Sequence, residues 1–201
     1  MRKFVAGLLV AFWSVLLTSC GVNKGNDSNT TFTKGDSLTD HYLAYQDSML
    51  ETWNIMINDD NQKIKSMHNL LHEMLVTSTD EREQLMKYET QLDQLLRLRY
   101  TQNSMGNADV VEEYDFASTT LVRELISLAE SETQFVYNST LQKLVEDIRL
   151  ADERVNNYRE EYDMVVARYN LFIDKNKHDL LELNHTDSLH KKHLFQVVSM
   201  D

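Results

Sequence analysis

Leu141, Leu144, Ile148, Ala151, Val155, Tyr158, Tyr162, Val165, Tyr169 and Phe172 follow one another in alternating steps of three and four residues. This is the a/d spacing of a heptad repeat, and it predicts a long helix over about residues 138–175 with coiled-coil-like packing. At 1.5 Å per residue the helix is roughly 55 Å long, more than one short partner can cover. A matching seam lies near the start: Leu43, Leu50, Trp53, Ile57, Ile64, Met67, Leu71 and Met74, with Gln46 and Asp60 at core positions of the same register. Thr77-Ser78-Thr79-Asp80 reads as the end of that helix and a new N-cap, with Glu81 and Glu83 in the next first turn. A second helix over about 80–102 turns Leu85, Tyr88, Leu92, Leu95 and Leu96 inward. After the turn Asn103-Ser104-Met105-Gly106-Asn107, a third over about 108–132 does the same with Tyr114, Leu121, Leu125 and Leu128. Short connections between long amphipathic helices favour antiparallel neighbours. The fold expected over residues 38–176 is therefore all-α, an elongated antiparallel four-helix bundle. Past Asn176 the pattern breaks, and 177–201 reads as a polar tail with a short helix over Leu189–Val198.

Composition excludes the main alternatives. The chain has no proline and five glycines, four of which precede residue 36. Sandwiches, barrels and doubly wound α/β folds need far more turn glycine and proline than this.

The first twenty residues read as an address. Basic Met1-Arg2-Lys3 leads into an apolar run, Phe4 to Leu17, broken only by Gly7 and Ser14. The run is short for a membrane span and suits a signal peptide over residues 1–19. It ends in Leu17-Thr18-Ser19-Cys20-Gly21, which resembles a bacterial lipobox. Cys20, the single cysteine, is then the lipidation site, carrying diacylglycerol and further acyl chains such as palmitate, and several chains anchor far more firmly than one. Cleavage before Cys20 removes Arg2 and Lys3 and no acid, taking the net charge from −12 to −14. With one cysteine there is no disulfide, so packing alone must hold the fold. Residues 20–37 are polar and read as a flexible tether between lipid and domain. No acidic cluster follows Cys20, which favours a lipid-anchored protein of the cell envelope facing the periplasm. So acidic a body is repelled by nucleic acid, and a nucleic-acid partner is not expected.

Candidate chemistry is sparse. His68 and His72 share a helical face at i and i+4, with Glu73 adjacent, a spacing that can hold zinc. Zinc hydrolases of that type carry Glu directly after the first histidine. Here Asn69 stands there and no third ligand is evident, so flanks of a Met67/Leu71/Met74 core stripe are the simpler reading. His178, His185, His190 and His193 fall in the tail, as a metal or pH-sensitive site or as ordinary polar residues. Tyr158, Tyr162 and Tyr169 need polar partners when buried, and Gln46 and Asp60 are candidates if the two seams face each other. Asn29-Thr30-Thr31 and Asn138-Ser139-Thr140 match the glycosylation acceptor pattern, which in a bacterial lipoprotein is a chance match. No nucleophile–base pair, phosphate loop or nucleotide fingerprint is present.

Two stretches resemble the LemA family of bacterial envelope proteins. In the last helix these are Glu130-Ser131-Glu132, Phe135, Leu141-Gln142-Lys143-Leu144, and Asp152-Glu153-Arg154-Val155 through Tyr158-Arg159-Glu160-Glu161-Tyr162. The family's repeated Tyr-Asn survives as Tyr169-Asn170, while the first copy is Tyr162-Asp163. In the first helix, Trp53 and His68-Asn69-Leu70-Leu71 are similar to the family's Trp and its Ile-Pro-Asn-Leu-Val. His68 replaces the proline, Lys65 stands where Asp is usual, and the paired arginines are missing. The resemblance spans about residues 42–198 and is that of a divergent member. It implies a long antiparallel bundle held at a bacterial membrane, with lipidated Cys20 doing the work of the usual N-terminal transmembrane helix. The family has no established enzymatic activity or cofactor, so the resemblance carries over no catalytic residue. Asn69, Tyr169 and Asn170 match its motif positions and are the expected binding residues. The expectation is a tethered interaction or scaffolding module, not an enzyme and without cofactors. It would bind the membrane through its lipid and an envelope protein or a second copy of itself. A zinc-dependent hydrolase using His68, His72 and Glu73 is the alternative.

Overall fold

A computed structural model of the chain describes residues 33–77, 82–184 and 189–195. The described elements belong to a unit that begins at Lys34. Helix α1 spans Lys34–Thr77, α2 Arg82–Leu98, α3 Ala108–Ser131 and α4 Ser139–Asn184, with a 3-10 turn at Phe135–Tyr137 before α4. The fold is an all-α helical bundle, and no strand occurs among the described residues. Cys20, the apolar segment before it, most of the tether, and the Ser78–Asp80 part of the expected N-cap lie outside the described residues.

The 44 residues of α1 and the 46 of α4 make the frame. Their contacts run Lys34 to Asp179, Gln46 to Tyr169, Trp53 to Tyr162, Asp59 to Arg154, Lys63 to Asp152 and Glu73 to Asn138. The partner number falls as α1 climbs, so these two helices run in opposite directions. Each is about 65–70 Å long, whereas α2 and α3 reach only about 26 and 36 Å. Asp60 meets Arg99 and Tyr114, and Arg149 meets Glu130. The shorter helices therefore pack mainly along the Asp60–Thr77 part of α1, and next to it Trp53 is covered by Tyr100 from the connection after α2 and by Phe195.

Burial corrects the inward seam expected on α1. Ile64, Met67, Leu71 and Met74 are buried, but Leu43 and Leu50 are 52% and 53% exposed. The buried stripe there is Leu38, Tyr42, Tyr45, Met49, Thr52 and Met56, one position over, with Tyr42 and Tyr45 meeting Tyr169 and Phe172 of α4. Of the expected stripe, Gln46 and Trp53 do meet α4, through Tyr169 and Tyr162, while Leu43 and Leu50 lie at its edge and stay exposed. Leu96, also expected inward, is 45% exposed on the outer side of α2.

Boundaries shift for local reasons. Helix α1 starts at Lys34, taking the last residues of the supposed tether, where Lys34 pairs with Asp179 at 2.6 Å. Helix α4 continues past Asn176 to Asn184 because Ile173 and Leu180 prolong its buried stripe. Its N-cap is Asn138, whose Oδ1 accepts from the Thr140 and Leu141 amides at 3.0 and 3.1 Å. Asn107 caps α3 through the Asp109 amide at 3.1 Å. The short helix expected from Leu189 does not form over 189–195, which is irregular chain laid along α4.

Candidate functional site

A buried polar layer ends the part covered by α2 and α3. Tyr114 donates to both Asp60 oxygens at 2.8 and 2.6 Å, and Arg99 and Lys63 also bond to that carboxylate. Asp60 and Lys63 are 3% and 2% exposed. Lys63 also reaches Asp152 at 3.1 Å, and Arg154 reaches Asp59 at 2.9 Å. Burial works against the Arg99 charge, but Asp60 and Tyr114 outweigh it and hold the guanidinium above its ordinary pKa. Burial, then the Asp60 charge, pushes the Tyr114 phenol up.

Beyond this layer the side chains form an aromatic shelf. Trp53 meets Tyr100 and Tyr162 edge-on and lies parallel to Phe195, with centroids 6.1 Å apart at 7°. Tyr100 and Tyr162 also meet Phe195. Arg159 stands over the Tyr100 and Phe195 rings at 5.5 and 5.1 Å, a cation–π arrangement. It also donates to Asp115 and to the Tyr100 hydroxyl, the latter at 2.6 Å. Burial opposes its charge, and Asp115 and Tyr100 more than offset this, raising its pKa.

Residues 189–195 lie against this shelf, held mostly by their backbone. Asn170 donates from Nδ2 to the Lys192 carbonyl at 2.9 Å and accepts from the Lys192 amide at 2.8 Å. Asp163 accepts from the Phe195 amide at 2.8 Å, and Tyr169 donates to the His190 carbonyl at 3.3 Å. Asp163 and Asn170 are seven residues apart on α4, about 10.5 Å along the axis. The two amides they bind are three residues apart, a reach of about 10 Å only when the chain is extended. The heptad step of the helix thus matches three residues of extended chain, which is why this segment cannot be a helix. Lys191 pairs with Asp174 at 2.7 Å, and Leu189 is buried. Gly106 in the turn after α2 packs against the exposed His193 ring, whose atoms would lie 2.8–3.0 Å from a Cβ at that position. Beside the segment a cleft of about 390 Å³ stays open among Gln46, Leu50, Asn103, Tyr162 and Lys191.

The expected binding residues divide between two places. Tyr169 and Asn170 are brought together under the segment, and Gln46 reaches the Tyr169 hydroxyl at 3.4 Å as the facing seams imply. Asp60 takes its tyrosine from α3 rather than α4. Asn69 is exposed in a separate cleft with Lys65, Leu144 and Arg154, toward the far end of the α1/α4 pair. His68 is half-buried, His72 exposed, and Glu73 accepts from Asn138 at 3.1 Å. They do not bring three ligand atoms together; among the described residues His178, Asp179 and Glu182 have such atoms within 4.8 Å of one another, on the exposed surface of α4. In that trio Asp179 is engaged by Lys34, which holds its carboxyl below the usual range. Sequence reasoning missed Asp163 and Phe195 as site residues, although the repeat Tyr162-Asp163, Tyr169-Asn170 was a legible signal. Among the described residues no helix is long and apolar enough to cross a membrane. In comparisons with known proteins, no family model, no curated protein and no solved structure matches this chain.

Proposed function

We propose that the chain is a LemA-like envelope lipoprotein, anchored through lipidated Cys20 and facing the periplasm, whose helical body acts as an interaction or scaffolding module without catalytic chemistry. One observation carries the reading: α1 and α4 outrun α2 and α3, and the groove left between them holds an extended chain segment by main-chain hydrogen bonds and stacked rings. Recognition of this kind, with backbone bonds for affinity and ring contacts for selectivity, is how interaction modules bind peptides. Asn69, Tyr169 and Asn170 keep their proposed place as binding residues, the last two within this groove.

The test is recovery of partners from crosslinked envelopes with the full-length protein and with Cys20→Ala. The wild type retains the membrane fraction and brings down one reproducible protein, and Cys20→Ala loses both. Repeated recovery of nothing from wild-type envelopes contradicts the module. An unchanged membrane fraction for Cys20→Ala contradicts the lipid anchor.

A further inference from the structure

The groove's present occupant fits it incompletely. Leu194 and Phe195 are only half-buried, Leu50 is exposed beside Lys191–His193, and the cleft of about 390 Å³ remains open along the segment. The bonds that hold the segment read main chain, not side chains: Asn170 binds the amide and carbonyl of one residue, and Asp163 binds the amide three residues on. Any extended chain with free N–H groups at those two places satisfies them. Selectivity comes from two further features. Asp174 and Asp47 put negative charge along the rim, in a chain of net charge −12, and Lys191 already answers Asp174 at 2.7 Å. Trp53 offers a flat face, which Phe195 covers.

We infer that the groove binds an extended segment of a partner protein, with a basic residue opposite Asp174 and an aromatic residue four positions later on Trp53, and that residues 189–195 are an internal competitor for it. The inference rests on the interaction-module reading. An intramolecular segment acts at the high effective concentration of a short tether, so it raises the apparent dissociation constant of any ligand that must displace it.

The experiment uses the full chain and a fluorescent peptide with the sequence of residues 188–197 as probe. In Lys192→Pro/Phe195→Ala the segment loses the amide that Asn170 accepts from and the ring on Trp53. This released variant binds the probe at least about tenfold more tightly than the wild type, the displacement penalty being gone. Adding Asp163→Ala and Asn170→Ala abolishes binding, as does a probe with alanine in place of its phenylalanine. Equal affinity for wild type and released variant overturns the inference, as does no binding to a released variant of unchanged helicity. In case that variant fails to fold, excess probe is also added to the wild type. Faster hydrogen exchange at the Lys192 and Phe195 amides supports displacement, and unchanged exchange overturns it. Recovery of an envelope partner without probe binding rejects this inference alone, whereas probe binding without any envelope partner rejects the module reading.

Discussion

Replacing Asp60 by alanine lowers the unfolding free energy by about 3–5 kcal/mol, the usual cost of removing one partner from a buried ion pair. The carboxylate is 3% exposed and receives bonds from Tyr114, Arg99 and Lys63, which come from α3, the end of α2 and α1 itself. Without it Tyr114 has a buried hydroxyl lacking its acceptor, and buried Lys63 and partly exposed Arg99 lose the carboxylate between them. Asp152 still accepts from Lys63 and Asn61 from Arg99, which limits the loss but replaces neither charge nor geometry. The matched control is Lys143→Ala, which breaks an exposed i,i+4 pair with Asp147 and changes stability by less than about 0.5 kcal/mol. Urea unfolding followed by helicity measures both. A loss below about 1 kcal/mol for Asp60→Ala would mean that the layer does not tie α2 and α3 to the frame.

The protein unfolds in alkali between about pH 10 and pH 12, before its buried tyrosines ionise independently. Burial pushes the phenols of Tyr100, Tyr162 and Tyr169 up to about 12 from the ordinary 10. Each folded-state value lies above the unfolded one. The stability each contributes is therefore fully present below pH 10 and is lost as pH rises toward 12. For Tyr100 the shift corresponds to about 2–3 kcal/mol. Tyr162 and Tyr169, packed among fewer surrounding groups than Tyr100, contribute about half as much each. Together they amount to a large part of the stability of an ordinary domain. Loss of helicity is expected to coincide, in one cooperative step, with ionisation of these three tyrosines, followed by ring NMR signals apart from exposed Tyr137. If these tyrosines ionised near pH 10 with helicity intact, the shelf would be open to water.

The helices were legible because a/d spacing persists where a long helix buries one stripe against another. The same spacing could not say which partner covers the stripe. On α1 the expected stripe and the buried stripe lie side by side, one residue apart, and Gln46 and Trp53 of the first still reach α4. Leu43 and Leu50 fall on the outer edge of that register and are exposed. The tail was misread for a related reason. Leu189, Leu194 and Phe195 have apolar spacing that suits a helix, but Asp163 and Asn170 draw its main chain out, and that demand is written on another element. Asn138 likewise caps α4, a role given by its place before Ser139-Thr140-Leu141 and not by its match to a glycosylation pattern. The metal alternative at His68 and His72 followed from i,i+4 spacing alone. Spacing does not place a third ligand, and Glu73 is turned to Asn138.

Peptide recognition by this groove depends most on residues 189–195 being seated there by Asp163 and Asn170. Site-resolved amide hydrogen exchange on the full-length protein tests this directly. The Lys192 and Phe195 amides are expected to be protected in the wild type, with Asn170→Ala exposing Lys192 and Asp163→Ala exposing Phe195 while the α1 and α4 amides keep their protection. Unprotected amides at both positions in the wild type would contradict the seating, and with it the reading of this groove as a place where a peptide binds.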